Sequence, residues 1–368
     1  MHQSRLLAIS LQKSTMVVIP KPNKISYNNP KLFRPIVLLN TVSKLIEKVI
    51  SNRLQFHVTS NSFIHLSQLG GLKFKSMTNA GVVLIHIIRL GWVKNLSTST
   101  LAFYITQFFP SLNHYFLTLI LRKVGFDFHI ANFFLNYLIG RKMNYFWNGF
   151  TSPSLDVNVG MGQGLALSPI LSALYLLPLY LSPFLYILEK YLKILKIPIS
   201  ILLFVDDSLL LLQSKSFSIS NSCLFCSYNV VTTLFLKFRL IVEHSKTEVF
   251  HFTRSQGIFN PPPLDLSPIG GLILCPKELW KYLGFIFDRK LTFHQHIDFY
   301  SNKAMSMVKY MKILDNLNYG LIPNQKHLLY WSCILPIVLY GFQLWYYNYI
   351  PLSYPLKMLG IIQRRATL

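Results

Sequence analysis

The stretch IPISILLFVDDSLLLL (197–212) decides how this chain is read: two apolar, strand-like runs are separated by adjacent aspartates, Asp206 and Asp207. Runs of this length broken by a polar pair form a β-hairpin, here with the carboxylates at its tip. Adjacent carboxylates in apolar surroundings repel each other and lose hydration unless a cation compensates them. A divalent ion such as Mg²⁺ takes oxygen ligands and shares them readily with phosphate groups. A bare Asp-Asp also fits an ordinary solvated turn, so the pair gains meaning only from what surrounds it.

Upstream stands GMGQGLALSPILSALYL (160–176), in which three closely spaced glycines let the backbone approach a ligand and an apolar run offers a supporting helix. Further out, Leu101–Phe109 reads as a buried strand ending in a turn at Pro110. The segment TVSKLIEKVISNRLQFHV (41–58) places Val42, Leu45, Ile46, Val49, Ile50 and Leu54 at helical spacing, with Thr41 or Ser43 as the cap. Helices are also expected over 79–94 and 114–124. Thr15–Ile19 and Arg34–Leu39 predict two strands joined by a basic loop. On the far side, FNPPPLDLSPIGG (259–271) is a loop or boundary, Trp280–Phe287 is β-like, and the remainder is helical.

The 368 residues suffice for one large or two to three closely packed units. Hydrophobic residues at 52% and charged residues at 13% exclude a mainly disordered chain. The charge is lopsided: 36 Lys+Arg against 13 Asp+Glu give +23, and no acidic residue lies between Glu47 and Asp127. Such an excess favours a polyanionic partner, nucleic acid or an anionic membrane surface. Cys223, Cys226, Cys275 and Cys333 do not form a disulfide framework, and the C-x-x-C pair lacks a second pair for zinc, so buried thiols in a reducing compartment are expected. Arg5 and Lys13 interrupt any long apolar run at the start and argue against a secretory signal. Residues 157–188 and 328–356 are uncharged and long enough to span a bilayer. Their interior Gly, Pro, Gln and Asn residues favour a buried core instead.

Taken in order, FRPIVLLNTVSKLIEKVISNRL (33–54), LAFYITQFFPSLNH (101–114), GQGLALSP (162–169), FVDD (204–207), EHSKTEVFHFTR (243–254) and WKYLGFIFD (280–288) carry a specific likeness. From about Val17 to its end the chain resembles the reverse transcriptase domain of non-LTR, LINE-type retrotransposons, with phrasing most similar to fungal elements. The resemblance implies an α+β, right-hand polymerase fold of fingers, palm and thumb, with an antiparallel palm sheet and a helical thumb. It implies a division into 1–100 (fingers-like), 101–258 (palm with fingers insertions), 259–312 (palm end and primer-grip-like region) and 313–368 (a truncated, thumb-like helical region). The implied chemistry is RNA-templated DNA synthesis by two-metal nucleotidyl transfer with Mg²⁺ or Mn²⁺. The implied partners are an RNA template, a DNA primer and deoxynucleoside triphosphates, within an intracellular setting, nucleus or cytoplasm.

Roles carry over where motifs match. Lys24 and Arg34 would neutralise the triphosphate, Phe109 would be the steric gate against a 2′-hydroxyl, and Gln163 would touch the nucleotide and template. Asp206 and Asp207 match the metal-binding motif, with Phe204 in place of the more familiar tyrosine. Lys246 stands where the family keeps a lysine suited to protonating pyrophosphate. Trp280, Tyr282, Leu283 and Gly284 fall in the primer grip. The departure that matters most is Tyr104, which occupies the position of the remaining catalytic aspartate. Phenol neither ionises near neutral pH nor binds Mg²⁺ comparably, and the surrounding sequence from Lys48 to Phe126 offers no acidic substitute. Asn79 replaces a usual Asp and Arg239 a usual Gly. Each change is one nucleotide substitution away, as in drift of an unselected copy. No endonuclease precedes the domain and the chain stops at QRRATL, so a degenerate fragment is expected. The competing readings are a non-catalytic nucleic-acid-binding relic and a multispanning membrane protein.

Overall fold

The computed structural model describes residues 12–22, 25–255, 260–269, 271–314, 320–346 and 353–367. Lys24 and part of the proline-rich segment lie outside them. The stretch 197–212 forms most of a hairpin of β7 (Ile199–Phe204) and β8 (Asp207–Ser214), joined by a two-residue turn at Val205 and Asp206. With β3 (Ser97–Tyr104) and β9 (Glu248–Phe252) they make a four-stranded antiparallel sheet in the order β7-β8-β3-β9. Both faces are covered, so β7 and β8 are apolar through their centres, while β3 opens on Ser97, Thr98, Ser99 and Thr100, the last three of them buried. Leu203, Leu210 and Leu212 face a core built with the helices Ser168–Tyr175 and Phe217–Lys237. Leu202, Leu209 and Leu211 face a second core with the helix Met77–Val93 and a hairpin formed by Leu279–Tyr282 and Phe285–Asp288. Each such leucine contributes roughly 1.5–3 kcal/mol on burial.

A separate N-terminal sheet joins β1 (Lys13–Pro20), β2 (Phe33–Leu38), β4 (Arg141–Trp147), β5 (Phe150–Thr151) and β6 (Leu155–Val157). The β1–β4 pair is parallel and the others antiparallel. The C-terminal part is helical, with His294–Ile313 packing on Ser353–Thr367.

Helix α1 (Thr41–Ser60) forms as its periodicity predicts, but its cap and its buried face differ from the expectation. Asn40 caps it, accepting from the Ser43 N–H at 2.7 Å, in place of Thr41 or Ser43. Val42, Leu45 and Val49 are exposed, while Ser43, Glu47 and Ser51 are buried. Apolar spacing misses this face because the helix packs against a loop whose backbone groups need polar partners. Ser51 Oγ donates to the Ala166 carbonyl at 2.9 Å, and the Ala166 N–H donates to Glu47 Oε2 at 3.0 Å.

Helix α2 (Met77–Val93) starts two residues before the expected 79 because Ser76 and Asn79 close a capping box. The apolar run 157–188 breaks into the helices Ser168–Tyr175, Leu177–Tyr180 and Pro183–Ile194, with a 58° bend before the last. Among the described residues one helix, Phe217–Lys237, is long and apolar enough to cross a membrane, and half of its apolar window is buried inside the protein. The thiols are free and none is buried as expected: Cys226 and Cys275 are exposed, and Cys223 and Cys333 are half-buried.

Helix Phe217–Lys237 ends with Arg239 in the left-handed region at φ +60°. The Arg239 and Leu240 N–H groups bond back to Leu236 and Phe235 across the last turn. A C-terminal residue in that conformation favours glycine, the residue expected there from the resemblance. Arg239→Gly is therefore expected to stabilise the protein by about 1 kcal/mol, seen as a higher urea midpoint at unchanged slope.

His251 in β9 is fully buried, with Nδ1 paired to Ser99 Oγ at 2.7 Å and Nε2 without a partner. Burial drives its pKa down from 6.5 to about 4. An unfolded chain therefore binds a proton here that the folded chain refuses. The stabilisation is present above pH 6.5 and is lost as pH falls toward 4. The stability difference between the native protein and His251→Gln should shrink by about 3 kcal/mol between pH 7 and pH 4 in urea titrations. The subtraction removes the opposite trend that Asp207 imposes over the same range.

Candidate active site

The strand register sets the geometry of the Asp-Asp tip. Tyr104, the last residue of β3, pairs directly with Asp207, which pairs on its other side with Phe204. Beyond the strand the Ile105 N–H donates to the Asp206 carbonyl at 3.1 Å and the Glu243 N–H to the Tyr104 carbonyl at 2.9 Å. Position 104 is thereby locked beside the tip. Val205 holds φ +60° at the first turn position, where a two-residue hairpin favours glycine. A β-branched residue there stores roughly 1–2 kcal/mol of strain. Gly70 rests against this turn, since a Cβ there would lie 2.7 Å from the Val205 nitrogen.

Electrostatically the tip is short of positive charge. Burial, then the neighbouring Asp206, raises the Asp207 carboxyl to a pKa of about 7. Asp206 lies at the exposed turn, yet crowding by protein still raises it, opposed by the charge of Lys246. Burial and then Asp207, Glu248 and Asp206 push the Tyr104 phenol up to about 12. Two adjacent carboxyls that resist joint ionisation beside a phenol that stays neutral make half of a cation site. Among the described residues no three His, Cys, Asp or Glu side chains are arranged to hold a metal ion. The donor set therefore does not fit a centre in which a third carboxylate bridges two ions. The structure does bring an acidic neighbour that the local sequence lacks: Glu248 lies opposite Ala102 on the same sheet. Its carboxylate, however, is paired with Lys277.

The other candidate residues divide into groups. Lys246 is close enough to act on Asp206, and Glu243, held low chiefly by the Ser245 hydroxyl, also feels Lys246 and Lys31. Phe109 is half-buried, and its carbonyl accepts from the Met161 N–H at 2.8 Å, linking the segment after Tyr104 to the glycine-rich loop. Gln163 is half-buried in that loop, its carbonyl accepting from the Val37 N–H at 2.9 Å. Arg34 is exposed on β2, and no interaction ties it to the tip. Trp280 and Tyr282 are core residues, fully and almost fully buried, because the hairpin of Leu279–Tyr282 and Phe285–Asp288 plugs the second core. Leu279 and Lys281 of the hairpin are exposed, and its half-buried turn, Leu283 and Gly284, has its carbonyls held by the Tyr340 and Tyr300 hydroxyls at 2.8 Å each.

Sequence reasoning missed a buried polar network beneath the glycine-rich loop. Glu47 accepts from the Tyr137 hydroxyl, and the Arg141 guanidinium lies over the Tyr137 ring at 5.0 Å. His114 Nε2 meets the Gly160 carbonyl at 2.7 Å, and Ser168 Oγ donates to the Gly162 carbonyl at 2.8 Å. The signal available in sequence was Glu47 itself, a lone acid amid helical apolar spacing.

An antiparallel sheet presenting paired aspartates at a hairpin tip, with helices on both faces and a separate N-terminal sheet, defines a palm-type polymerase. The family model for reverse transcriptase (RNA-dependent DNA polymerase) matches residues 19–287, and the chain belongs to that family. It is 26% identical over 336 residues to the probable RNA-directed DNA polymerase from transposon BS of Drosophila melanogaster, covering 90% of this chain and 35% of that protein. The chain thus spans about a third of that relative's length. Among solved structures, apo telomerase from Candida tropicalis matches with a TM-score of 0.51 at 11% identity, over 96% of this chain and 62% of that one. Telomerase from Candida albicans in complex with a TWJ fragment of telomeric RNA matches with a TM-score of 0.45 at 12% identity, over 96% and 60%. The first of these likenesses bears out the α+β, right-hand polymerase fold.

Proposed function

We propose that this chain is the reverse transcriptase domain of a non-LTR, LINE-type element similar to fungal ones, built for RNA-templated DNA synthesis but no longer competent for it. The observation that carries this reading is Tyr104, in register with Asp207 where the family keeps its bridging aspartate. Asp206 and Asp207 alone would hold Mg²⁺ or Mn²⁺ weakly. The same reading divides the chain into fingers (1–100), palm (101–258), palm end (259–312) and thumb-like helices (313–368), and sets it inside the cell, in nucleus or cytoplasm. Its partners are an RNA template, a DNA primer and deoxynucleoside triphosphates. What survives the loss of chemistry is nucleic-acid binding, supported by the +23 charge.

Binding and chemistry are separable by experiment. Fluorescence anisotropy with an RNA/DNA hybrid is expected to give an association constant that falls linearly with salt on logarithmic axes, losing at least about tenfold between 50 and 200 mM. A flat response would mean that the charge is dispersed and that the groove reading is wrong. Primer extension with the same hybrid in Mg²⁺ or Mn²⁺ is expected to give no product above that of Asp206→Ala.

A further inference from the structure

The helix Pro183–Ile194 carries two apolar faces where a surface helix ordinarily carries one. Leu185 and Leu192 are buried, and Leu188 packs on the core beside them. Phe184, Ile187, Tyr191 and Ile194, by contrast, are 59–71% exposed. Their 3-4-3 spacing sets them in a row along one side of the helix, about 15 Å long. Leu181, exposed just ahead of the helix, lies at the same end as Phe184. A continuous bare row of this kind marks an interaction surface, as scattered exposed leucines do not.

At the Phe184 end the row opens into a cavity of ≈ 300 Å³, between this helix and the last turns of His114–Val124 and Phe217–Lys237. Apart from Ser182, whose Oγ is buried, and exposed Lys123 and Lys237, its lining is apolar, and Leu181 and Phe184 belong both to it and to the row. Lys237 Nζ lies over the Phe184 ring at 4.7 Å. Lys190 flanks the row further along, while Glu189, the one acid of the helix, falls on the opposite side. A second copy is a poor occupant, because a two-fold pair would bring one lysine-edged face against another. Nor does this chain offer the opposite sign elsewhere: apart from Asp206 and Asp207, no two of its 13 acidic residues stand within four positions of each other. A lipid surface would cover the row and leave the cavity unfilled. Row, cavity and charge are satisfied together by a helix with one bulky apolar anchor, further apolar residues at matching spacing, and carboxylates along its margins.

We propose that this face docks an acidic amphipathic helix of another protein, with one aromatic or leucine side chain seated in the cavity and carboxylates beside Lys123, Lys190 and Lys237. The docking surface does not depend on the chemistry of the Asp206–Asp207 tip.

The test uses the full chain and a fluorescent helical peptide of about five turns, carrying Trp, Leu, Leu and Leu at 3-4-3 spacing between glutamates. Native protein is expected to bind it at least about tenfold more tightly than a peptide of the same composition in scrambled order. Ile187→Ser combined with Tyr191→Ser strips the row at exposed positions, so the thermal midpoint should hold while affinity falls about tenfold. Lys190→Glu with Lys237→Glu should weaken the acidic peptide about tenfold and favour a counterpart carrying Lys in place of Glu. Replacing the peptide's Trp by Ala should cost about tenfold against native protein and little against Leu181→Trp, whose indole fills the cavity from an exposed wall position. Equal binding of ordered and scrambled peptides, or binding that the row variant leaves unchanged, would reduce the effect to bulk charge and overturns the docking face. Failure of the native protein to bind the ordered peptide at low salt overturns it too. Vesicles of equal parts phosphatidylcholine and phosphatidylserine, bound by native protein and released by the row variant, would assign the face to a membrane instead. Self-association in sedimentation that the row variant abolishes would assign it to a second copy, and either result overturns the proposal.

Discussion

Tyr104→Asp is expected to raise template-dependent DNA synthesis by at least about 10²-fold over the unaltered chain, whose own product should not exceed that of Asp206→Ala. The reason is geometric before it is electrostatic. Position 104 lies in register with Asp207, so a carboxylate there would face the same space as the pair at the hairpin tip. A phenol whose pKa stands near 12 supplies neither charge nor a comparable ligand at neutral pH. Loss of one preorganised charged group at a reacting centre costs about 10²–10³-fold, as does misplacement of reactants by about 1 Å.

The same substitution has a readout that needs no turnover. Burial, and then the adjoining Asp206, already raises the Asp207 pKa to about 7. Its folded pKa is raised, so the stability tied to its protonated form is full at acid pH and lost as pH rises through 7. A third carboxylate deepens that loss, and a divalent ion cancels it by binding the folded state alone. Millimolar Mn²⁺ should therefore raise the Tm of Tyr104→Asp at pH 8 by several degrees while moving the native protein little. Primer extension by the native chain that disappears on Asp206→Ala would mean that another group, Glu248 being nearest at hand, has taken over the missing ligand.

What the sequence disclosed and what it hid follow from the range of the interactions. The hairpin at 199–214 and the helix from 114 were legible because each is decided by local apolar runs and their punctuation, whereas the strand expected over 101–109 runs over Ser97–Tyr104 and Phe108–Ser111 turns helical. The register that sets Tyr104 against Asp207 was legible only through the order of the motifs, since nothing local fixes a pairing between residues a hundred positions apart. The buried face of α1 was legible only in part. Of the apolar positions, Leu54 is buried and Ile46 and Ile50 pack on the core, but Val42, Leu45 and Val49 are exposed and the helix turns Ser43, Glu47 and Ser51 inward. A polar stripe is buried when it satisfies backbone groups of a distant loop, and the loop's geometry has no signature in the helix. For Trp280 and Tyr282 the motif match implied a strand pair that orients a primer end, and the structure adds that aromatic bulk at alternate strand positions puts both side chains in the core.

Glu47→Ala should be the most destabilising single change in the protein's polar interior, costing about 3–5 kcal/mol in urea unfolding. Glu47 is 1% exposed and accepts from the Tyr137 hydroxyl and the Ala166 N–H. Alanine leaves both donors buried without acceptors, beside a Tyr137 ring that the Arg141 guanidinium also covers. The consequence reaches function through the loop. Ala166 follows the Gly160–Gly164 turn, so releasing its anchor frees the backbone that presents Gln163. Glu47→Gln keeps an acceptor for one donor and should cost less than half as much. Tyr137→Phe removes one of the two donors in advance, so in the double variant Glu47→Ala should hurt less than it does alone, with a coupling of about 1–3 kcal/mol. Additive costs would mean that Glu47 and Tyr137 act independently. The loop would then be held by its remaining anchors, His114 on Gly160, Ser168 on Gly162 and Val37 on Gln163, rather than by the buried carboxylate.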